Sequence, residues 1–330
     1  MSSHHREGGG FRNPWPGGQP AGFGGFLKWV FWERLTKPRP PRRAPVLPAP
    51  VPPSFASPKA GPNAITITWV GHATFLLQVG GLNILTDPMW SERASPVSFA
   101  GPRRFTPPGV AFESLPPIDV IVQSHDHYDH LDDQTVRRLV ARYPSAIWLT
   151  PLGVGAFVRD RGATTVRELD WWDETRVGDV TMSATPAQHF SGRRFSNRDQ
   201  TLWCGWAFRA AHRSIWFVGD TGYHPEFEAI GSRAGPFEAV LMPVGAYEPR
   251  WFMRPVHMNP EDAVSAFLDL RSAGAVVVPM HWGTFKLTDE PLDEPPARAR
   301  AAWSAAGLPP EDLWVMAPGE TRVLEESPPD

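Results

Sequence analysis

The apolar and polar positions of this chain fall into two rhythms, and both begin near residue 64. Ile65-Thr66-Ile67-Thr68-Trp69-Val70 alternates with the two-residue period of a strand. Residues 75–79 and 83–86 flank Gly80-Gly81, which predicts a tight hairpin. Further apolar runs predict strands at 118–122, 146–150, 165–169, 180–185, 203–209, 214–218, 239–243, 275–279 and 313–316. Between them the period lengthens to that of a helix at 132–141, 155–160, 225–232, 260–270 and 296–306. Several of these begin with proline in the first turn, where its missing N–H costs nothing. Strands and helices mix through residues 61–330 with no repeat and no second linker, which predicts a single α/β domain.

Residues 1–60 follow neither rhythm. Gly and Pro dominate, and Lys37-Pro38-Arg39-Pro40-Pro41-Arg42-Arg43, followed by Pro45, Pro48, Pro50, Pro52 and Pro53, predicts extended or disordered chain. One apolar island, residues 26–35, interrupts it. Its expected form is a short helix docked on the domain; an interfacial membrane anchor and a partner contact are the alternatives. The His4-His5 pair is expected to lie in a flexible tail, outside any site.

Composition narrows the function classes. The chain has 330 residues, 42% of them hydrophobic, enough for a sizeable core. A net charge of −3 argues against a general binder of nucleic acid or anionic membranes. Cys204 is the single cysteine, so no intrachain disulfide forms, which fits a reducing compartment without requiring one. No apolar run reaches the ~18 residues that span a bilayer, and no secretory h-region is present. The expectation is a soluble, cytoplasmic protein, with peripheral membrane attachment as an option.

Chemistry concentrates in Ser124-His125-Asp126-His127-Tyr128-Asp129-His130, between the predicted strand 118–122 and the predicted helix 132–141. Imidazoles and a carboxylate at this density suit Zn²⁺ or a similar borderline ion, with Mn²⁺ as a substitute. His189, Asp220 and His281 each follow an apolar strand in the same manner. Singly each reads as well as a core residue. Together with the turn they make seven ligands, which suits two metals sharing a bridging carboxylate. His72 is expected to support the ligands rather than join them, and His212 is assigned to a turn without a role.

These residues resemble a known family. His125-Asp126-His127-Tyr128-Asp129-His130 with His189, Asp220 and His281 is similar to the metallo-β-lactamase superfamily. Trp69-Val70-Gly71-His72-Ala73-Thr74, Leu85-Thr86-Asp87-Pro88, Arg93-Ala94-Ser95-Pro96, Leu169-Asp170-Trp171-Trp172 and Gly219-Asp220-Thr221-Gly222-Tyr223 narrow the match. With the run from Pro243 to Met253, His281-Trp282-Gly283-Thr284-Phe285 and even Asn13-Pro14-Trp15-Pro16, they resemble the N-acylphosphatidylethanolamine-hydrolysing phospholipase D family. The resemblance implies an αββα sandwich, two mixed sheets packed face to face with helices outside. It implies one zinc on His125, His127 and His189, a second on Asp129, His130 and His281, Asp220 bridging them, and a hydroxide between. Asp129, Asp220 and His257 are then the catalytic candidates, with His257 near the substrate phosphate. Tyr247, Arg250, Trp251, Phe252 and Met253 are candidate substrate contacts: Arg250 and Arg254 read equally as solvated surface arginines or as partners of a lipid phosphate, with Trp251, Phe252 and Met253 for acyl chains. The implied reaction is zinc-dependent hydrolysis of N-acylphosphatidylethanolamine to phosphatidic acid and N-acylethanolamine at a membrane surface, by attack on phosphorus. The resemblance admits a homodimer and gives no role for nucleic acid. His224 and the Arg-rich loop 190–199 depart from the family pattern, which bears on lipid preference rather than on the metals. Two other readings share the ligands: an acyl hydrolase such as a lactonase, and a metal-binding interaction module without catalysis.

Overall fold

The computed structural model describes residues 4–36, 43–194, 197–211 and 213–324; His212 lies outside them. Thirteen strands form two mixed sheets among these residues. The first contains β1 (Ile65–Gly71), β2 (Thr74–Val79), β3 (Leu82–Thr86), β4 (Val120–Val122), β5 (Ile147–Pro151), β6 (Thr165–Leu169) and β13 (Thr321–Leu324), in the order β13-β1-β2-β3-β4-β5-β6. The second contains β7 (Glu174–Val177), β8 (Val180–Thr185), β9 (Gly205–Ala210), β10 (Arg213–Phe217), β11 (Ala239–Pro243) and β12 (Val276–Met280), in the order β12-β11-β10-β9-β8-β7. The hairpin expected at Gly80-Gly81 joins β2 to β3, both glycines with positive φ and Val79 paired with Leu82.

The two-residue period tells each side chain of the first sheet which way to face. Ile65, Ile67, Trp69, Phe75, Leu77, Val79, Ile84, Val120, Val122 and Leu149 point inward, into the core shared with the second sheet. Their neighbours Val70, Leu76, Leu85, Ile121 and Trp148 point outward. There they meet Val136 and Leu139 of a helix, Asp133–Arg142, and Val158 of another, Gly155–Arg159. Both faces are therefore covered, as a sheet with parallel strands requires. The helices Phe227–Ala234, Pro260–Asp269 and Pro295–Ala305 cover the outer face of the second sheet, with Trp216 against Phe227 and Phe267 against Trp303. This is the expected four-layer αββα sandwich.

Helix starts are set by local chemistry. The Asp132 side chain accepts from the Thr135 N–H, and that of Asn259 accepts from the Asp262 N–H ahead of Pro260. Three expectations need correction. Residues 313–316 make only an isolated bridge, Leu313 to Val277, and the strand in this region is β13. The edge strand β7, mostly polar, and the helix Arg250–Met253, four residues and so too short to show a period, were not expected. Finally, His4 and His5 are not in a loose tail. Their Nε2 atoms lie 2.6 and 2.7 Å from the two oxygens of Asp170.

The N-terminal chain lies on the domain. Residues 4–18 form a strap beside loop 190–199, with the Phe11 N–H donating to the Asp199 carbonyl. The apolar island is helical, as Phe23–Leu27 running into a wider π-turn, Lys28–Glu33. Trp29 is buried, donates to Asp289 and packs on Phe252 at 5.2 Å. Its neighbours Phe26, Leu27, Phe31, Trp32 and Leu35 remain exposed.

Candidate metal centre

Strand direction brings the site residues together. β1, β3 and β4 run the same way in the first sheet, as do β8, β10 and β12 in the second. Each is followed within four residues by a candidate: His72 after β1, Asp87 after β3, the 125–130 turn after β4, His189 after β8, Asp220 after β10 and His281 after β12. Residues far apart in sequence therefore meet on one edge of the sandwich. The backbone is bent to deliver them, with φ of 56° at His72, 34° at Asp87 and 63° at His281. Gly219 precedes Asp220 at φ 68°, where a Cβ would lie 2.8 Å from the Cys204 carbonyl.

Two groups of ligand atoms result. His125, His127 and His189 form one, with His125 Nε2 2.8 Å and His189 Nε2 3.2 Å from His127 Nδ1. Asp129, His130 and His281 form the other, joined by His72. There the His130 and His281 Nε2 atoms are 3.1 Å apart, and 3.4 and 3.3 Å from Asp129 Oδ2. Asp220 stands between them. Its Oδ2 is 3.1 Å from both His130 and His281 Nε2, and 3.8 Å from His189 Nε2. Its Oδ1 is buried without a hydrogen-bond partner. Ligands at 2.0–2.1 Å on a tetrahedral ion are about 3.3 Å apart, so these spacings and the orphaned oxygen fit a metal in each group.

The far side of most rings is fixed. His189 Nδ1 faces the Val256 carbonyl at 2.9 Å, and His125 Nδ1 faces Ser124 Oγ at 2.9 Å. His130 Nδ1 meets Asp87 Oδ2 at 2.7 Å. Asp87 is fully buried and also accepts from Ser124 N, Ser124 Oγ and Gln123 Nε2. Donation from Nδ1 leaves the Nε2 lone pair directed at the cluster. Sequence reasoning gave Asp87 no role; an Asp-Pro directly after a strand is the signal that could have found it. Asn13 was likewise missed as a site residue. Its buried amide donates to the His189 carbonyl at 2.8 Å and accepts from the His189 N–H at 3.1 Å. His72, expected to support the ligands rather than join them, brings its Nε2 to 2.9 Å from Asp129 Oδ2, within the second ligand group itself.

Charge in the centre is finely balanced. Burial pulls His127 down to about 4 and His72, His189 and His257 to about 3, and takes His125 well below its ordinary value. Burial works the same way on His130 and His281, but Asp220 and Asp129 outweigh it and hold both up, His281 at about 9. The two carboxylates, which burial alone would raise, are held well below the usual range by those imidazoles. Two buried acids thus demand positive charge, and cations would displace the protons that otherwise supply it.

The remaining candidates divide. His257 reaches the cluster, its Nδ1 4.0 Å from Asp220 Oδ2 and its ring 5.0 Å from that of His189. Trp251 is exposed, and Phe252 lies between it and Trp29. Three proposed substrate contacts turn inward instead. Tyr247 is fully buried and donates to Glu294; Met253 is buried; and Arg250 donates to the His257 carbonyl and to Asp262. Arg250 thereby holds the backbone of His257. Arg193 of the divergent loop donates to the Asp126 and Leu131 carbonyls, clamping the ligand turn. His224 is neutral, pulled to about 3 by burial, and stacks between Trp15 and Phe227.

Two mixed sheets with a His/Asp cluster along one edge define a metal-dependent hydrolase of the αββα sandwich type. A family model, the β-lactamase superfamily domain, matches residues 82–282. The chain belongs to the metallo-β-lactamase superfamily. An uncharacterized protein of Mycobacterium tuberculosis is 43% identical over 298 residues, covering 88% of this chain and 76% of that one. The N-acyl-phosphatidylethanolamine-hydrolyzing phospholipase D 1 of Caenorhabditis elegans is 40% identical over 235 residues, covering 68% of this chain and 65% of the worm protein. Among solved structures, Igni18, a metallo hydrolase from Ignicoccus hospitalis, shares the fold with a TM-score of 0.62 at 24% identity, covering 80% of this chain and all of that one.

Proposed function

We propose that the protein is a dinuclear, zinc-dependent phosphodiesterase of phospholipase D type, acting on N-acylphosphatidylethanolamine-like lipids at a membrane surface. The observation that carries this is Asp220, one buried carboxylate within 4 Å of imidazoles from both ligand groups. The 40% identity to the worm enzyme supports the substrate class. His125, His127 and His189 would hold one ion, Asp129, His130 and His281 the other, and Asp220 both. When filled, the site supplies water activated near neutral pH and positive charge for the non-bridging phosphate oxygens.

The chain's own residues orient the reaction. His257 is neutral in the free protein because burial disfavours its charged form. Its place 4.0 Å from Asp220 suits donating a hydrogen bond to a phosphate oxygen or to the departing ethanolamine oxygen. The Arg250 guanidinium and the Met253 carbonyl fix its backbone, with Met253 accepting at 2.8 Å. Phe26, Leu27, Phe31, Trp32 and Leu35 of the N-terminal helical segment are exposed, as is Trp251, with the Lys28 ammonium over the Trp251 ring at 4.5 Å. An apolar lip with a cation at its edge suits a lipid surface. Among the described residues no helix is long and apolar enough to cross a membrane.

The test is hydrolysis of N-acylphosphatidylethanolamine vesicles in ¹⁸O-labelled water, with products read by mass spectrometry. Label in the phosphate of phosphatidic acid, with unlabelled N-acylethanolamine, is the expected outcome. Labelled alcohol means attack at carbon, diacylglycerol means cleavage on the other side of phosphorus, and free fatty acid means an acyl hydrolase. Each of the three would overturn the proposal.

A further inference from the structure

We propose that His4, His5 and Asp170 form a third metal site, a surface clip for one divalent transition ion that fastens the N-terminal strap to the domain. The three ligand atoms lie within 4.8 Å of one another, and the group shares no residue with the buried centre. Each imidazole takes its own carboxylate oxygen: His4 Nε2 is 2.6 Å from Asp170 Oδ1, and His5 Nε2 is 2.7 Å from Oδ2. Consecutive side chains in extended backbone point apart, so this convergence needs support. The His4 ring stacks on Trp171 at 4.1 Å, and His5 meets the edge of Phe11 at 5.1 Å. The Arg12 N–H donates to the His4 carbonyl, and His5 bridges to Phe11. The rings are thus held in place before any ion arrives.

The donor set selects the ion. Two imidazoles and one carboxylate suit Zn²⁺, Ni²⁺ or Cu²⁺ and offer little to Ca²⁺ or Mg²⁺, which prefer oxygen. Burial works against ionisation of Asp170, but its hydrogen bonds to both histidines prevail and hold it at about 2, so the ligand is charged across the physiological range. Side chains 17%, 46% and 28% exposed leave coordination positions open to water and let the ion exchange.

The clip has something to fasten. Residues 4–18 carry Asn13, whose amide brackets the backbone of His189, and Trp15, which stacks on Trp171 and His224. An ion joining Asp170 to residues 4 and 5 closes the strap over these contacts. It stabilises the closed state by mass action, in proportion to ion concentration over Kd.

The test uses the untagged full chain, stripped with chelator and titrated with Zn²⁺. Metal analysis after dialysis should find one ion fewer in His4→Ala/His5→Ala, and again in Asp170→Asn, than in the unaltered chain. Hydrogen exchange at the Phe11 and Arg12 amides should slow on adding Zn²⁺ in the unaltered chain and be unmoved by Zn²⁺ in both variants. A His125→Ala/His127→Ala chain, altered only in the buried centre, should keep the zinc response of the strap. Equal zinc counts in the unaltered, His4→Ala/His5→Ala and Asp170→Asn chains, or strap amides of the unaltered chain protected equally with and without zinc, would leave only hydrogen bonds to Asp170 and overturn the clip.

Discussion

At the buried centre the histidines are anchored from behind: His189 by the Val256 carbonyl, His125 through Ser124, and His130 by Asp87. The lip proposed from Phe26, Phe31, Trp32, Leu35 and Trp251 instead leaves its side chains exposed, while Trp29 of the same segment packs on Phe252 and donates to Asp289. The centre is over-determined because buried ligands must be aimed before an ion arrives, and an unpaired buried polar atom is costly. The lip needs only exposed apolar area. On the proposed function, chemistry and substrate capture are separable, and substitutions should sort into two classes.

Asp220→Asn should have the largest effect, because it removes the charge shared by both ligand groups. Activity should fall beyond the about 10²–10³-fold typical of losing one electrostatic contact, with a parallel drop in bound metal by elemental analysis. Full metal content in that variant would break the reading of Asp220 as the bridge. His257→Ala should cost about 10²-fold in kcat while leaving metal content intact. Loss of metal would move His257 among the ligands.

Asp87→Asn tests whether the layer behind the ligands matters as much as its burial suggests. It should weaken metal affinity by about 10–100-fold, measured by competition with a chelating dye. Asn13→Ala leaves the N–H and carbonyl of His189 unpaired and should cost about 2 kcal/mol of stability, seen as a lower urea midpoint. The smallest effect belongs to the lip. Trp32→Ser should weaken binding to lipid vesicles by about tenfold, the value of one large side chain leaving an apolar phase, without changing turnover of a dispersed short-chain substrate. An equal loss on both substrates would join the two regions that the structure separates.

What the chain could say about itself was local. The alternation at Ile65–Val70 and the Gly80-Gly81 turn are properties of neighbouring residues, and the structure keeps both. The 125–130 turn was legible for the same reason: its ligands are packed into one stretch of sequence. His189, Asp220 and His281 could be read as strand-end candidates, but only strand direction places them on one edge. Asp87, Asn13 and the Asp170 pair with His4 and His5 depend on contacts across 36 to 176 positions, which no periodicity records. Tyr247, Arg250 and Met253 show the converse. Their residue types suit a lipid, yet packing spends them on Glu294, on His257 and Asp262, and on the core. Period and composition act through the nearest residues, whereas a side chain's partner is chosen by whatever the fold brings within a few ångströms of it.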